Sequence, residues 1–402
     1  MQRFLATFNN GHVFCIKPEY LDKYLAMPMI HTKIDKNKLY VEKISEHYQS
    51  NIKKGDEIVS INDLMPNEFR KNNILPYISA SNTEAKLYDA IGYQTLLALK
   101  FDNETLKLGI KRKNNIEICE IPYINYSDLL QEDSTKYRQM VTFYYDKNND
   151  YSYENIFITD KKNDFAYIKL TKCDDEFRDF FFANYDSIMK FNNLIIDVAY
   201  GRGGDGNTTA VPLRLLLNQD TIYYYPDSTK TNNSVMKARA NVKINHYKPE
   251  DVPQDFKDKY YSYYYNNHFE FDTFLNGFYE NPAPDSLRYK GNIYVIINSQ
   301  TASASEGFAL MLSQNKNVKM LGKKTIGALG QPLVLFLPSE MQVFINTTKT
   351  YDYKGNAVSS GIPPDYEYDF ADFYKTENKQ EMLSKFIKVI KAFENTSRPA
   401  KN

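Results

Sequence analysis

The chain has 402 residues, and its 50 Lys and Arg balance 50 Asp and Glu at a formal net charge of zero. That length allows one large domain plus a smaller one, and the balanced charge gives neither a basic surface for nucleic acid nor an acidic tail. Cys15, Cys119 and Cys173 are too few and too scattered for a disulfide framework or a zinc cluster, and the five histidines lack metal-ligand spacing, so no metal or other cofactor is implied.

No apolar run is long enough for a membrane span. The opening MQRFLATFNNGH lacks the apolar core of a signal peptide, and its abrupt start is compatible with a leader cut away upstream. Residues 1–28 form an N-terminal segment. Phe4, Leu5 and Phe8 precede Asn9-Asn10-Gly11, a hairpin or tight-turn signal, which sets His12 at the start of an expected strand.

Residues 29–120 read as a small β-rich domain. Strands are expected from Tyr40-Val41, over Glu57–Ile61 and over the alternating run Thr105–Lys111. Lys54-Gly55-Asp56-Glu57-Ile58 through Ile61-Asn62-Asp63 resembles the Gly-Asp-Glu-Ile signature of PDZ domains, which take extended peptide ends by strand addition. Gly55 and Ile58 are therefore candidate substrate-binding positions. A small sheet that only packs on the core is the competing reading.

Residues 121–160 are polar and read as a linker ending in a strand. From 161 to 402 the pattern is that of a core domain. Phe165–Leu170 reads as a strand, Asp175–Lys190 as a helix and Leu194–Val198 as a buried strand, the spacing of a crossover unit in a mainly parallel sheet. The Tyr- and Asn-rich stretch 220–288, with Lys259–Tyr265 its densest part, reads as an inserted surface loop or a lid. Strands are expected over Leu333–Leu337 and Met341–Ile345. Met382, Phe386, Val389, Ile390 and Phe393 then mark one face of a last helix.

Two stretches carry chemistry. In Gly291–Leu312 an apolar strand, Ile293–Ile297, breaks at Asn298-Ser299-Gln300 and leads through Thr301-Ala302-Ser303-Ala304-Ser305-Glu306 into a helix. A hydroxyl at such a turn faces unpaired amides and the positive end of the helix dipole, which suits a nucleophile whose product is an oxyanion. The same residues also suit a plain helix cap. In Ile196–Gly204 a buried strand ends in Gly201-Arg202-Gly203-Gly204, where paired glycines let backbone amides approach a ligand. A tight turn is the alternative there, and the Gly-Lys-Ser/Thr ending of a P-loop is missing.

Taken in order, five pieces resemble the tail-specific (C-terminal-processing) serine peptidase family, including its tricorn-core and retinoid-binding-protein-like branch. Asn10-Gly11-His12 is similar to the family's Asp-Gly-His or Ser-His element, and Lys54–Ile58 to its PDZ-like insert. Leu194–Asp197 with Gly203-Gly204 is similar to LIIDLRGNPGG, Thr301–Glu306 to SASASE, and Gly361-Ile362-Pro363-Pro364-Asp365 to the late GI-x-PD motif. The resemblance implies an α/β fold with a crotonase/ClpP-like mixed-sheet core and a PDZ-like insert. It also implies Ser303 as nucleophile and Gly203, Gly204 and Ala304 as oxyanion donors. The lysine of the Ser–Lys branch is replaced by Ala328, and Lys323 and Lys324 lie in a polar run unsuited to a neutral lysine. The histidine branch remains, with His12 as general base. Its orienting partner stays open among Glu306, Asp365, Glu367, Ser359 and a backbone carbonyl.

The expected activity is serine-type endopeptidase cleavage of peptide or unfolded protein chains through a Ser303 acyl-enzyme. The alternative is a weak or inactive relative that holds peptides or apolar ligands. The resemblance further implies export to the periplasm or cell surface.

Overall fold

The computed structural model describes residues 1–24, 26–28, 30–44, 52–90, 105–113, 115–125, 154–229, 254, 258, 273–275, 277–330, 332–376 and 378–397. They divide into two compact units, one of 1–9, 13–150 and 334–344, the other of 10–12, 151–333 and 345–402. The run expected to continue as one core from 161 thus lends Val334–Phe344 to the first unit. The centre of the polar linker and the Lys259–Tyr265 run lie outside the described residues.

The first unit is built on an antiparallel sheet ordered Ile30–Asp35, Lys38–Ile44, Glu57–Ile61, Thr105–Arg112 and Asn115–Pro122. Its first hairpin closes on Lys36-Asn37, both at positive φ, the geometry that matches strand twist in a two-residue loop. Alternation buries Leu106, Leu108 and Ile110 with Ile58 and Ile61, and the helix Pro66–Asn73 adds Phe69. Residues Gln2–Phe8, before the Asn9-Asn10-Gly11 turn, are helical rather than extended, so the turn joins a helix to the strand Phe14–Ile16.

The second unit centres on a six-stranded sheet. Its order is Tyr366–Glu367, Val318–Gly322, Asn292–Ile297, Asn193–Asp197, Phe165–Lys169 and Ile156–Asp160. Only the last pair is antiparallel. Strands covered on both faces read as continuous apolar runs, and the alternation sorts them. Leu194, Ile196, Ile293, Val295 and Ile297 face the layer that holds the helices Asp175–Ile188 and Ala304–Leu312. Ile195, Tyr294 and Ile296 face the helix Lys379–Ser397 through Met382, Phe386 and Ile390. The ends of the 220–288 stretch are strands: Thr221–Tyr223 pairs with Phe278–Glu280, and Asp227–Thr229 with Thr273–Leu275 and Thr348–Thr350.

Burying a carboxylate is costly unless donors surround it. Asp197, fully buried at the end of its strand, accepts from the Tyr167 hydroxyl at 2.6 Å, the Tyr374 hydroxyl at 2.8 Å and the Ala199 amide at 2.9 Å. Burial still raises its pKa, against the nearby Lys169 charge and these bonds. This cluster anchors the strand from which the diglycine loop departs. Among the described residues, no helix is long and apolar enough to cross a membrane, and no group of His, Cys, Asp and Glu could hold a metal ion.

Candidate active site

Because Asn193–Asp197, Asn292–Ile297 and Val318–Gly322 are parallel and adjacent, their carboxyl ends deliver three loops to one edge of the sheet. The first holds Gly201–Gly204, the second Asn298–Ser303, the third Lys323–Gly330. Backbone bonds join them: Ala302 N–H donates to Gly201 O at 2.9 Å, and Ile326 N–H to Thr301 O at 3.2 Å. The Thr301 hydroxyl donates to Val198 O at 3.0 Å.

Ser303 precedes the first residue of the helix Ala304–Leu312 and has φ +55°, ψ −125°. A non-glycine residue there is strained by about 1–3 kcal/mol and persists only when its surroundings over-determine it. They do. Its amide donates to Glu306 Oε2 at 3.0 Å, and its carbonyl accepts from the Gly307 amide at 3.0 Å. Gly203, at φ +82°, lies so close that a Cβ there would be 2.6 Å from Ser303 Cβ and 2.9 Å from Ala304 N. Only glycine allows that approach.

The diglycine does not supply its amides equally. Gly203 N–H donates to Ser305 Oγ at 3.1 Å, so that amide is already committed. Among the described residues the Gly204 and Ala304 amides have no hydrogen-bond partner, and Ala304 is the first residue of its helix, where no intrahelical acceptor exists. Gly204 runs against Cys173, whose amide donates to Gly203 O at 2.8 Å while its carbonyl accepts from Asp205 N–H at 2.8 Å.

Glu306 is fully buried and ties the second loop to the third. Its Oε1 accepts from the Thr325 hydroxyl at 2.6 Å and Gly327 N–H at 2.9 Å, and its Oε2 from Ala328 N–H at 2.8 Å as well as Ser303. Burial raises its pKa to about 7, against the pull of these four donors. Thr325 in turn accepts the Ile362 amide at 2.7 Å, and Gly361, at φ +101°, passes so near that a Cβ would meet Thr325 O at 2.1 Å. The late Gly361–Asp365 element is therefore a latch on the third loop.

His12 lies within the turn, two residues before the strand at Phe14, not on the strand itself. Its amide donates to Asn10 Oδ1 at 2.8 Å, and its Nδ1 lies 2.8 Å from Gly330 O. A carbonyl can only accept, so Nδ1 carries the proton and Nε2 keeps its lone pair. Burial lowers the His12 pKa, and the bond to Gly330 opposes that shift. Of the orienting candidates, the backbone carbonyl holds the ring. Glu306 is spent on the loop, Asp365 accepts from Met320 N–H at 2.8 Å, and Glu367 pairs with Lys323 at 2.8 Å. Gly11 packs on the buried Ala328, with a Cβ there only 2.9 Å from Ala328 Cβ. The turn thus fills the space beside the position where a lysine was expected.

Gly55 and Ile58 belong to the first unit. Gly55 occupies an open left-handed turn and donates its amide to Val41 O at 2.8 Å. Ile58 is 2% exposed in the first unit's core, under a shallow depression lined also by Leu39, Val59, Met65, Pro66 and Arg70, and Gly55 lies off it. Sequence reasoning missed Ser305, Thr325 and Gly330 as site residues. Ser305 stands inside Thr301–Glu306 and Thr325 directly follows Lys323-Lys324, whereas nothing local marks the Gly330 carbonyl.

The model of the peptidase family S41 matches residues 164–368. No curated relative matches the sequence. Among solved structures, mature CPAF complexed with lactacystin aligns with TM-score 0.64 at 14% identity, over 98% of this chain and 88% of that one. Mature CPAF aligns with TM-score 0.64 at 15% identity, over 100% and 88%. The photosystem II D1 C-terminal processing protease aligns with TM-score 0.40 at 13% identity, over 92% and 80%. At these identities the two CPAF likenesses establish the fold.

Proposed function

This chain belongs to peptidase family S41 and is a serine-type peptidase, and on that premise we propose that Ser303 is its nucleophile and His12 its general base. One observation carries the assignment: His12, through Gly330, and Ser303, through Glu306, are fixed to the same six-residue segment, 325–330. Ser303 Oγ attacks the scissile carbonyl carbon as its proton passes to His12 Nε2. The tetrahedral oxyanion is met by the Ala304 and Gly204 amides, while Gly203 contributes closeness rather than a donor. Collapse breaks the C–N bond, and His12 returns the proton to the leaving amine. Water, deprotonated by His12, then hydrolyses the acyl-enzyme.

The finer fold assignment belongs to the same proposal. The second unit is of the crotonase/ClpP-like kind and the first is PDZ-like, a sheet for extended peptide ends of protein substrates. Export to the periplasm or cell surface goes with that role. The competing reading, a peptide-holding relative without turnover, rests on Ala328. The packing of Gly11 on Ala328 favours replacement of the lysine by the histidine turn over its simple loss.

The test is labelling by a serine-directed fluorophosphonate together with cleavage of an unfolded protein. Wild type labels at Ser303 and cleaves, and Ser303→Ala does neither. His12→Ala slows both by about 10²–10⁴-fold. A folded wild type that neither labels nor cleaves overturns the assignment in favour of the binding role.

A further inference from the structure

We propose that Glu306 is the positioning residue of this reaction: its carboxylate clamps the Ser303 backbone in the strained conformation that presents the hydroxyl, using the third loop as its fixed support. The inference rests on the nucleophile assignment above but makes a separate structural claim.

Each carboxylate oxygen takes two donors, Oε1 from Thr325 and Gly327, Oε2 from Ser303 and Ala328. The three amides can only donate, so Oε2, held by two of them, fits only an acceptor with no hydrogen of its own, while the Thr325 hydroxyl at Oε1 can donate or accept. A proton on Oε2, or a glutamine amide nitrogen placed there, turns a donor toward two amide donors and breaks that side of the clamp, whereas on Oε1 the Thr325 hydroxyl can turn to accept and the Gly327 bond is the one lost. At Oε2 the loss frees Ser303 and Ala328; at Oε1 it frees Gly327 and loosens the support. A released Ser303 relaxes from φ +55°. The oxyanion donor Ala304 follows it in sequence, so nucleophile and hole are displaced together.

The charged and titratable groups around Glu306 leave it to act alone. Its helix, Ala304–Leu312, carries no other. Tyr225 packs at Gly307, with its own ionisation pushed up to about 12 by burial. His12 is bound to Gly330, and Cys173 contacts Ser305 with its thiol pushed up to about 11 by burial. Lys323 and Lys324 at the loop's outer end are taken by Glu367 and Ser360. Because burial places Glu306 at about 7, the clamp is complete only above neutrality.

The experiment measures the fluorophosphonate labelling rate of wild type, Glu306→Gln and Thr325→Val from about pH 5 to about pH 9, together with kcat and KM for peptide cleavage. Expected is an acid limb near 7 in wild type. In Glu306→Gln that limb is absent and the rate is about 10–100-fold lower at alkaline pH, with kcat rather than KM carrying the loss. Thr325→Val removes one donor and moves the limb to higher pH. A folded Glu306→Gln labelled at the wild-type rate overturns the proposal. If that variant does not fold, an unmoved limb in Thr325→Val overturns it. A crystal structure of Glu306→Gln decides the clamp without activity: Ser303 relaxed to negative φ supports it and Ser303 unmoved overturns it. Absence of labelling in wild type instead removes the nucleophile assignment.

Discussion

Gly203 and Ser303 stand in a contact that admits no side chain on the glycine, whose Cβ would fall 2.6 Å from the serine Cβ and 2.9 Å from the Ala304 amide nitrogen. The glycine also sits at φ +82°, strained for any L-residue. Gly203→Ala is therefore expected to lose about 1–3 kcal/mol of stability and at least about 100-fold in labelling rate. Equilibrium unfolding and fluorophosphonate labelling check the two effects separately. A fully active Gly203→Ala enzyme would mean that the diglycine loop can retreat from Ser303 without consequence.

Gly330 is a second position where a backbone atom does the work. Its carbonyl holds the His12 ring, and at φ +96° an added Cβ would meet Asn346 Oδ1 at 2.7 Å. Gly330→Ala is expected to shift that carbonyl and lower kcat by about 10-fold with little change in KM. The His12 pKa is lowered by burial, so its stabilising contribution is present above the ordinary histidine value and is lost as pH falls through the lower folded value. In Gly330→Ala the bond that opposes the burial shift weakens, and the histidine limb of the cleavage profile moves further down in pH. A profile identical to wild type would show that the carbonyl does not orient the ring.

What was legible in the sequence was what is local. Thr105–Lys111 alternates, Phe165–Leu170 and Leu194–Val198 are largely apolar runs, and each coincides with a strand to within one residue at its ends. Ser303 and Glu306 have capping-box spacing, and the Glu306 carboxylate does take the Ser303 amide. The same carboxylate's bonds to Thr325, Gly327 and Ala328 come from a loop delivered by the next parallel strand, which no local pattern announces. The partner of His12 is more distant still, a main-chain oxygen 318 residues away. Side-chain identity cannot reveal such an acceptor, because every residue carries one.

Ala328 offers a direct test of which base this chain uses. It is 3% exposed and packed against Gly11, so a lysine there has to displace the turn that carries His12. Ala328→Lys is expected to destabilise the fold by about 1–3 kcal/mol through overpacking and to lower cleavage rather than raise it. Steady-state kinetics of Ala328→Lys, alone and with His12→Ala, check this. Activity restored to His12→Ala by the lysine would show that the site still accepts a Ser–Lys dyad.

Stability and activity should respond to pH in opposite senses at Glu306. Burial raises its folded pKa from 4.5 to about 7, so the folded chain holds this proton more tightly than the unfolded one. The stabilising contribution is fully present below the unfolded value and is lost as pH rises through the folded value. Over that interval wild type is expected to lose about 3 kcal/mol from this residue alone. Glutamine has no proton to release, so unfolding of Glu306→Gln followed over the same pH range should lack that component, whatever its absolute stability. The cost of ionising Glu306 is incurred over the same range in which the four-donor clamp on Ser303 becomes complete. A fold that weakens toward alkaline pH while its labelling rate rises is the expected signature. Equal slopes of stability against pH in wild type and Glu306→Gln would show that the buried carboxyl is ionised throughout and regulates nothing.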